Sequence, residues 1–312
     1  MRANKQIKRR VPGGTIKKVK KQKELYFLVL PVLLYYLLFH YKPMYGLIIA
    51  FMDYSPRRGI LGSEWVGLQH FITFFQSIYF KRLLINTLRI SVTTIIFGFP
   101  APIILALLMN ELKSRRFSRL TQTITYMPHF VSMVVICSMI REFVKPEGFI
   151  TQILVNLFGY DGRNLLSSPE NFLPVYVISD IWQGVGWGSI VYLAALTAVD
   201  TELYEAAQID GANRWKQTIH ITLPCIMPTV IIMLIMRLGQ VMSIGYEKII
   251  LLYNEGIYET ADVISTYVYR MGLVNRQYSF SAAVDLFNSL INFMLVILAN
   301  KISKKVSETS LW

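Results

Sequence analysis

The stretch Asp200-Thr201-Glu202-Leu203-Tyr204-Glu205-Ala206-Ala207-Gln208-Ile209-Asp210-Gly211-Ala212-Asn213-Arg214-Trp215-Lys216, closed by Ile221-Thr222-Leu223-Pro224, is a polar island between two long apolar runs. Residues 201–209 are good helix formers, Asp210-Gly211 is a breaker or C-cap pair, and Asn213 suits the cap of a second short helix. Pro224 stands where a new membrane helix can begin. The expected shape is two short helices at an angle with Gly211 at the bend. An ordinary helical hairpin lying on a membrane surface satisfies the same propensities.

Outward from this island, apolar runs near the length of a bilayer span recur at 25–41, 83–110, 121–141, 173–199, 224–247 and 280–300. With 54% hydrophobic and only 16% charged residues, the chain is not a conventional soluble enzyme. Its net charge of +13 is localised, because the ten basic residues from Arg2 to Lys23 all precede the first acid, Glu24. A basic tail directly before an apolar run is how cytoplasmic topology is written, so the charge argues for membrane orientation and not for nucleic acid. Lys113, Arg115, Arg116 and Arg119 place the 111–120 connection on the same side, as do Lys301, Lys304 and Lys305 for the C-terminal tail. The acid-rich 142–172 connection belongs outside. The first run ends in large residues, Leu37 to Tyr41, with no small-residue cleavage site, so it is expected to stay in the membrane.

The fold class expected is therefore an all-α integral membrane protein with six transmembrane helices and both termini cytoplasmic. Residues 1–24 form a basic cytoplasmic tail, 25–82 the first transmembrane helix and an external cap segment, 83–302 a core domain containing the cytoplasmic loop 200–223, and 303–312 a second cytoplasmic tail. The connections 42–82 and 248–279, mixed and aromatic, read as folded caps on the outer face. Cys137 and Cys225 lack any metal or redox spacing, and their different depths along the expected spans argue against a disulfide. No phosphate-binding glycine loop, H-E-x-x-H or paired catalytic carboxylates occur, which leaves no enzyme reading and no cofactor site.

Glu205-Ala206-Ala207, Asp210-Gly211-Ala212, Ile221-Thr222-Leu223-Pro224 and Pro228 resemble the EAA loop of the membrane subunits of binding-protein-dependent ABC importers. Further matches are Asn86-Thr87-Leu88, Tyr192-Leu193-Ala194-Ala195-Leu196, Leu252-Tyr253-Asn254, Tyr258-Glu259-Thr260-Ala261-Asp262 and Ser265-Thr266-Tyr267-Val268-Tyr269-Arg270. They look like the carbohydrate-uptake branch, most like the LplB-type permeases for oligosaccharides and polysaccharides. The resemblance implies a type I importer (MetI-like) permease fold in a bacterial cytoplasmic membrane. It implies a second homologous permease, two ATPase subunits that bind the ATP, an extracytoplasmic solute-binding protein and an oligosaccharide substrate. Glu205, Ala206, Ala207, Asp210, Gly211 and Ala212 would dock on the ATPases. Thr218 departs from the aromatic residue usual in the wider family; Trp215 or Ile219 supplies apolar area instead.

The run 173–199 is too polar and glycine-rich for a helix facing lipid on all sides. At helical spacing Asp180, Gln183, Gly184, Trp187 and Val191 share a face, a mixture suited to a sugar pathway. Glycines for close helix packing and tryptophans at the interface explain the same residues, so lining and packing both stand. Tyr126 to His129 are further candidates. Arg237 falls about 13 residues into the run beginning at 224, too deep to reach either surface, and requires a partner or a water-filled cavity: Asp180 is the first candidate, Asp285 the second and the backbone of the partner permease the third. A permease for a non-sugar solute, or an ion-coupled secondary transporter, are the competing functions.

Overall fold

The computed structural model describes residues 23–307 and Ser310, so the basic tail lies outside the described residues except for its last two positions. The described chain divides into two compact units, one up to Ile49 and one from Ala50 onward. Among the described residues everything is helix or connection apart from one two-residue antiparallel pairing, β1 (Met52–Asp53) with β2 (Glu64–Trp65).

The long helix α1, Tyr26–Phe51, supplies most of the first unit. Its side chains, Phe27, Leu28 and Phe39 among them, are exposed, the pattern of a helix solvated by lipid. It continues beyond the expected end at Tyr41. Pro43 lacks the N–H that would extend the ladder, and the π turn Leu37–Tyr41 just before it absorbs the break.

The second unit comprises α2 (Gln69–Gln76), α3 (Phe80–Asn110), α4 (Arg115–Tyr126), α5 (Met133–Val144), α6 (Phe149–Phe158) and α7 (Pro169–Thr197). It continues through α8 (Thr201–Ile209), α9 (Arg214–Leu238), α10 (Tyr246–Leu252), α11 (Tyr258–Ala261), α12 (Ile264–Tyr269) and α13 (Tyr278–Ser307). Among the described residues α1, α3, α9 and α13 are long and apolar enough to cross a membrane, and a bent pair, Arg115–Phe130 with Met133–Phe158, makes a fifth if it counts as one span. At 29 residues α7 has the length, but Asp180, Gln183 and its glycines dilute its hydropathy.

Two expected spans change shape. The run 121–141 is not one helix: its limbs meet at 101°. Pro128 sits in a 3₁₀ turn, Val131 and Ser132 are extended, and the Ser132 hydroxyl caps α5 afresh by accepting from Val135 N–H at 3.4 Å. The depth argument for Cys137, which assumed a straight span, falls with it; both cysteines are free thiols. The run 224–247 is displaced: α9 begins at Arg214, passes Pro224 through a π turn at Thr218–Thr222, and stops at Leu238. Arg237 is therefore in the last turn of α9 and not at its middle. Of the apolar residues beyond, Val241 and Met242 pack with Leu83, Ile264 and Val284, and Ile244 leads into α10, whose Ile249 and Leu252 are buried with Ile136, Cys137 and Ile140 of α5. Gly245 makes that reversal: its φ is +32° and a Cβ there would stand 1.9 Å from the Tyr176 hydroxyl.

The core has three parts. Phe172, Tyr176 and Val177 of α7 pack with α5, α10 and Ile257. Phe74, Leu83, Met242, Ile264, Tyr267 and Val284 form a second group, and Ala106, Tyr192, Leu196 and Ile226 join α3, α7 and α9 in a third. Two glycines of α7 permit its neighbours to approach: a Cβ on Gly186 would lie 2.1 Å from the Thr125 carbonyl oxygen, and one on Gly188 3.0 Å from Pro102 Cγ.

Candidate functional site

The polar island folds as two helices with a defined joint. Asp200 caps α8 by accepting from Glu202 N–H at 3.0 Å, and Asn213 caps α9 by accepting from Lys216 N–H at 2.9 Å. Between them Gly211 has φ +76°, Ala212 N–H donates to Ala207 O at 2.8 Å and Gly211 N–H to Gln208 O at 3.1 Å. These two bonds around a left-handed residue are a Schellman turn, which satisfies the last carbonyls of α8 and fixes its angle to α9. The joint is braced by Gln217 Nε2 donating to Ala212 O at 2.9 Å, by Tyr204 and Thr222 hydroxyls 3.0 Å apart, and by an ion pair between Arg214 and Glu111 at the end of α3.

The second helix of the island is the first turn of α9 itself. Glu205, Ala206, Asp210 and Gly211 are exposed, while Ala207 and Ala212 are half-buried at the turn. Ile209 and Trp215 stand 88% and 71% exposed, a large apolar area for so short a polar segment.

On α7 the expected stripe divides. Asp180 and Gly184 face a cavity of about 200 Å³ shared with Gly188, Tyr192, Met233 and Arg237. Asp180 and Arg237 also border a cavity of about 110 Å³ with Ser91, Tyr176, Gln240 and Ser243. Trp187 turns aside, stacked on His129 at 4.5 Å and 5° with Phe130 at its edge, and Gln183 lies half-buried between these directions. Trp182 borders a separate apolar cavity against α5 and α6.

Arg237 Nη2 lies 3.8 Å from Asp180 Oδ2; Asp180, not Asp285, is the carboxylate beside it. The sequence reading missed the third member: Lys248 Nζ is 3.8 Å from Asp180 Oδ1, on a side chain 1% exposed and 5.4 Å from the Tyr176 ring centre. A lone lysine in the apolar Ile249-Ile250-Leu251-Leu252 neighbourhood was the available signal.

A second charged cluster explains motif residues whose role the sequence left blank. Asp262, fully buried, receives two bonds from Arg270 at 3.2 and 2.6 Å and one from Thr266 at 2.8 Å, with Arg82 at 3.8 Å. Asn86 donates to the carbonyls of Glu259 and Asp262 at 2.8 and 3.0 Å, and Thr87 Oγ1 accepts from Ile264 N–H at 3.0 Å. Together they clasp the 258–270 segment to α3. Burial opposes the Arg270 charge, yet its bonds to Asp262 hold its pKa above the ordinary value, so the guanidinium stays charged.

Residues 98–308 match the family described as binding-protein-dependent transport system inner membrane component. The chain belongs to this family of membrane permeases. It is 44% identical over 95% of its length to the polygalacturonan/rhamnogalacturonan transport system permease protein YteP of Bacillus subtilis (strain 168), covering 92% of that protein. It is likewise 44% identical over 94% of its length to Protein LplB of the same organism, covering 92% of it. A chain of the crystal structure of a bacterial alginate ABC transporter, in complex with an alginate pentasaccharide-bound periplasmic protein, superposes with TM-score 0.87 at 42% identity. That match covers 96% of this permease and all of the other chain. This permease is thus a multi-pass inner-membrane transport component and not an enzyme. Among the described residues no group of His, Cys, Asp or Glu is arranged to hold a metal ion.

Proposed function

We propose that this permease imports oligosaccharides derived from polysaccharide, as one half of a heterodimer with a second homologous permease. Two ATPase subunits bind ATP beneath it, and an extracytoplasmic solute-binding protein delivers the sugar. The names of its relatives support the sugar class, and the jointed α8–α9 element is the observation that supports the coupling. Leu203, Ile209 and Trp215 offer apolar area, Glu205 a carboxylate for a basic partner residue, and Ala206 allows close approach. The Schellman turn at Gly211 makes the element stiff enough to move α9 as a lever when the ATPases close.

On this reading the membrane is crossed six times, counting α7 and the bent α4–α5 pair, with both termini and the 200–223 loop in the cytoplasm. Residues 25–82 supply the first span and an outer cap, and 83–302 the core. Asp180, Gln183, Trp187 and Arg237 line or border the solute route.

The test is substrate-stimulated ATP hydrolysis by the reconstituted complex carrying Glu205→Lys or Gly211→Val. Both variants are expected to insert normally and to lose stimulation. Normal stimulation in both removes the loop from the coupling path.

A further inference from the structure

The cluster on α7, α9 and α10 has one carboxylate between two cations. Asp180 faces Arg237 on one oxygen and Lys248 on the other, each at 3.8 Å, beyond hydrogen-bond range. The two cations are not equivalent. Lys248 is 1% exposed, its Nζ has no hydrogen-bond acceptor within the described protein, and it cannot leave Asp180 without stranding a buried charge. Arg237 keeps 41% of its side chain exposed and borders both cavities that meet at this point. Asp180 is therefore needed by Lys248, and the cluster is left with one positive charge in excess, carried by a guanidinium that faces open space.

A guanidinium in that position matches a carboxylate with two parallel N–H···O bonds. The cavity of about 110 Å³ beside it has room for a carboxylate, and Ser91, Tyr176, Gln240 and Ser243 border the same space together with Asp180, whose charge Lys248 offsets. We infer that Arg237 is a specificity-determining residue that takes the carboxylate of an acidic sugar, so that the substrate class is a uronate-containing oligosaccharide. Lys248 is the positioning residue that holds Asp180 and keeps Arg237 available. This inference rests on the oligosaccharide-permease reading above.

The experiment is uptake by the complete reconstituted transporter of labelled tri-galacturonate and of its methyl ester, each loaded on the solute-binding protein at saturation. The ester keeps the shape and removes the charge. Wild type is expected to take up the acid at least tenfold faster than the ester. Arg237→Gln is expected to bring the two rates together by lowering the acid alone. Lys248→Met, which lets Asp180 claim Arg237, is expected to do the same in a complex that assembles normally. An unchanged acid-to-ester ratio in Arg237→Gln overturns the assignment, as does a parallel fall of both rates, the result if an acid of the second permease meets Arg237. Failure of the wild-type complex to move any saccharide refutes instead the reading on which it rests.

Discussion

Removing Asp180 and removing Arg237 have unequal consequences, and the inequality follows from burial. Asp180→Asn leaves Lys248, 1% exposed, with no countercharge at 3.8 Å. At an effective dielectric near 20, an ion pair at that separation interacts by about 4 kcal/mol. Asp180 is 33% exposed, which screens part of this, so a loss of about 3 kcal/mol is expected, at the low end of the cost of breaking a buried pair. Arg237→Gln removes a cation that is 41% exposed and leaves Asp180 with Lys248; such pairs are worth about 1 kcal/mol or less. The compensating change is Lys248→Met, which fills similar volume with no charge, so Asp180→Asn with Lys248→Met is expected to recover most of the loss. The assay is the temperature at which the detergent-solubilised complex loses its monodisperse elution peak, measured for the three single variants and the two double variants containing Asp180→Asn. Equal damage from Arg237→Gln and Asp180→Asn, or simple additivity of Asp180→Asn with Lys248→Met, refutes the reasoning.

Gly211→Ala meets no neighbour within 4 Å but holds φ +76°, so its cost of about 1–2 kcal/mol falls on the joint; limited proteolysis of the 200–223 loop should accelerate while insertion is unchanged. Asp262→Asn leaves Arg270 with a weakened partner inside the protein and is expected to cost about 3 kcal/mol, read as loss of thermal stability, with cleavage in 255–275 preceding cleavage elsewhere. Gly186→Val places side-chain atoms against the Thr125 carbonyl and is expected to reduce the yield of assembled complex severalfold, whereas Gly184→Ala, with nothing within 4 Å, should be tolerated.

What was legible in the sequence was what composition and local propensity control. The polar island's cap at Asn213 and its glycine joint are local hydrogen-bond chemistry, written in residues a few positions apart. Span boundaries were less legible, because hydropathy responds equally to lipid and to protein: Val241, Met242 and Ile244 after Leu238 are buried in the protein's own core, and the run 121–141 contains a bend whose signal, Pro128 and Ser132, carries little weight in a hydropathy window. The pairing of Arg237 with Asp180 followed from the cost of an isolated charge. Lys248 did not, since its contact spans 68 positions of chain and depends on a reversal at Gly245 that the apolar count concealed. The glycines of α7 likewise read as pathway or packing until the Thr125 contact assigned Gly186 to packing, while Gly184 lines the cavity and Gly188 both lines it and packs on Pro102.

The most direct test of the account is uptake of labelled oligosaccharide by proteoliposomes containing the permease, its partner permease and the ATPases. ATP is enclosed in the lumen, and the loaded solute-binding protein is supplied outside. The account predicts accumulation that requires enclosed ATP and the binding protein together and that is insensitive to collapse of proton and sodium gradients. Accumulation driven by an ion gradient in the absence of ATP would contradict it.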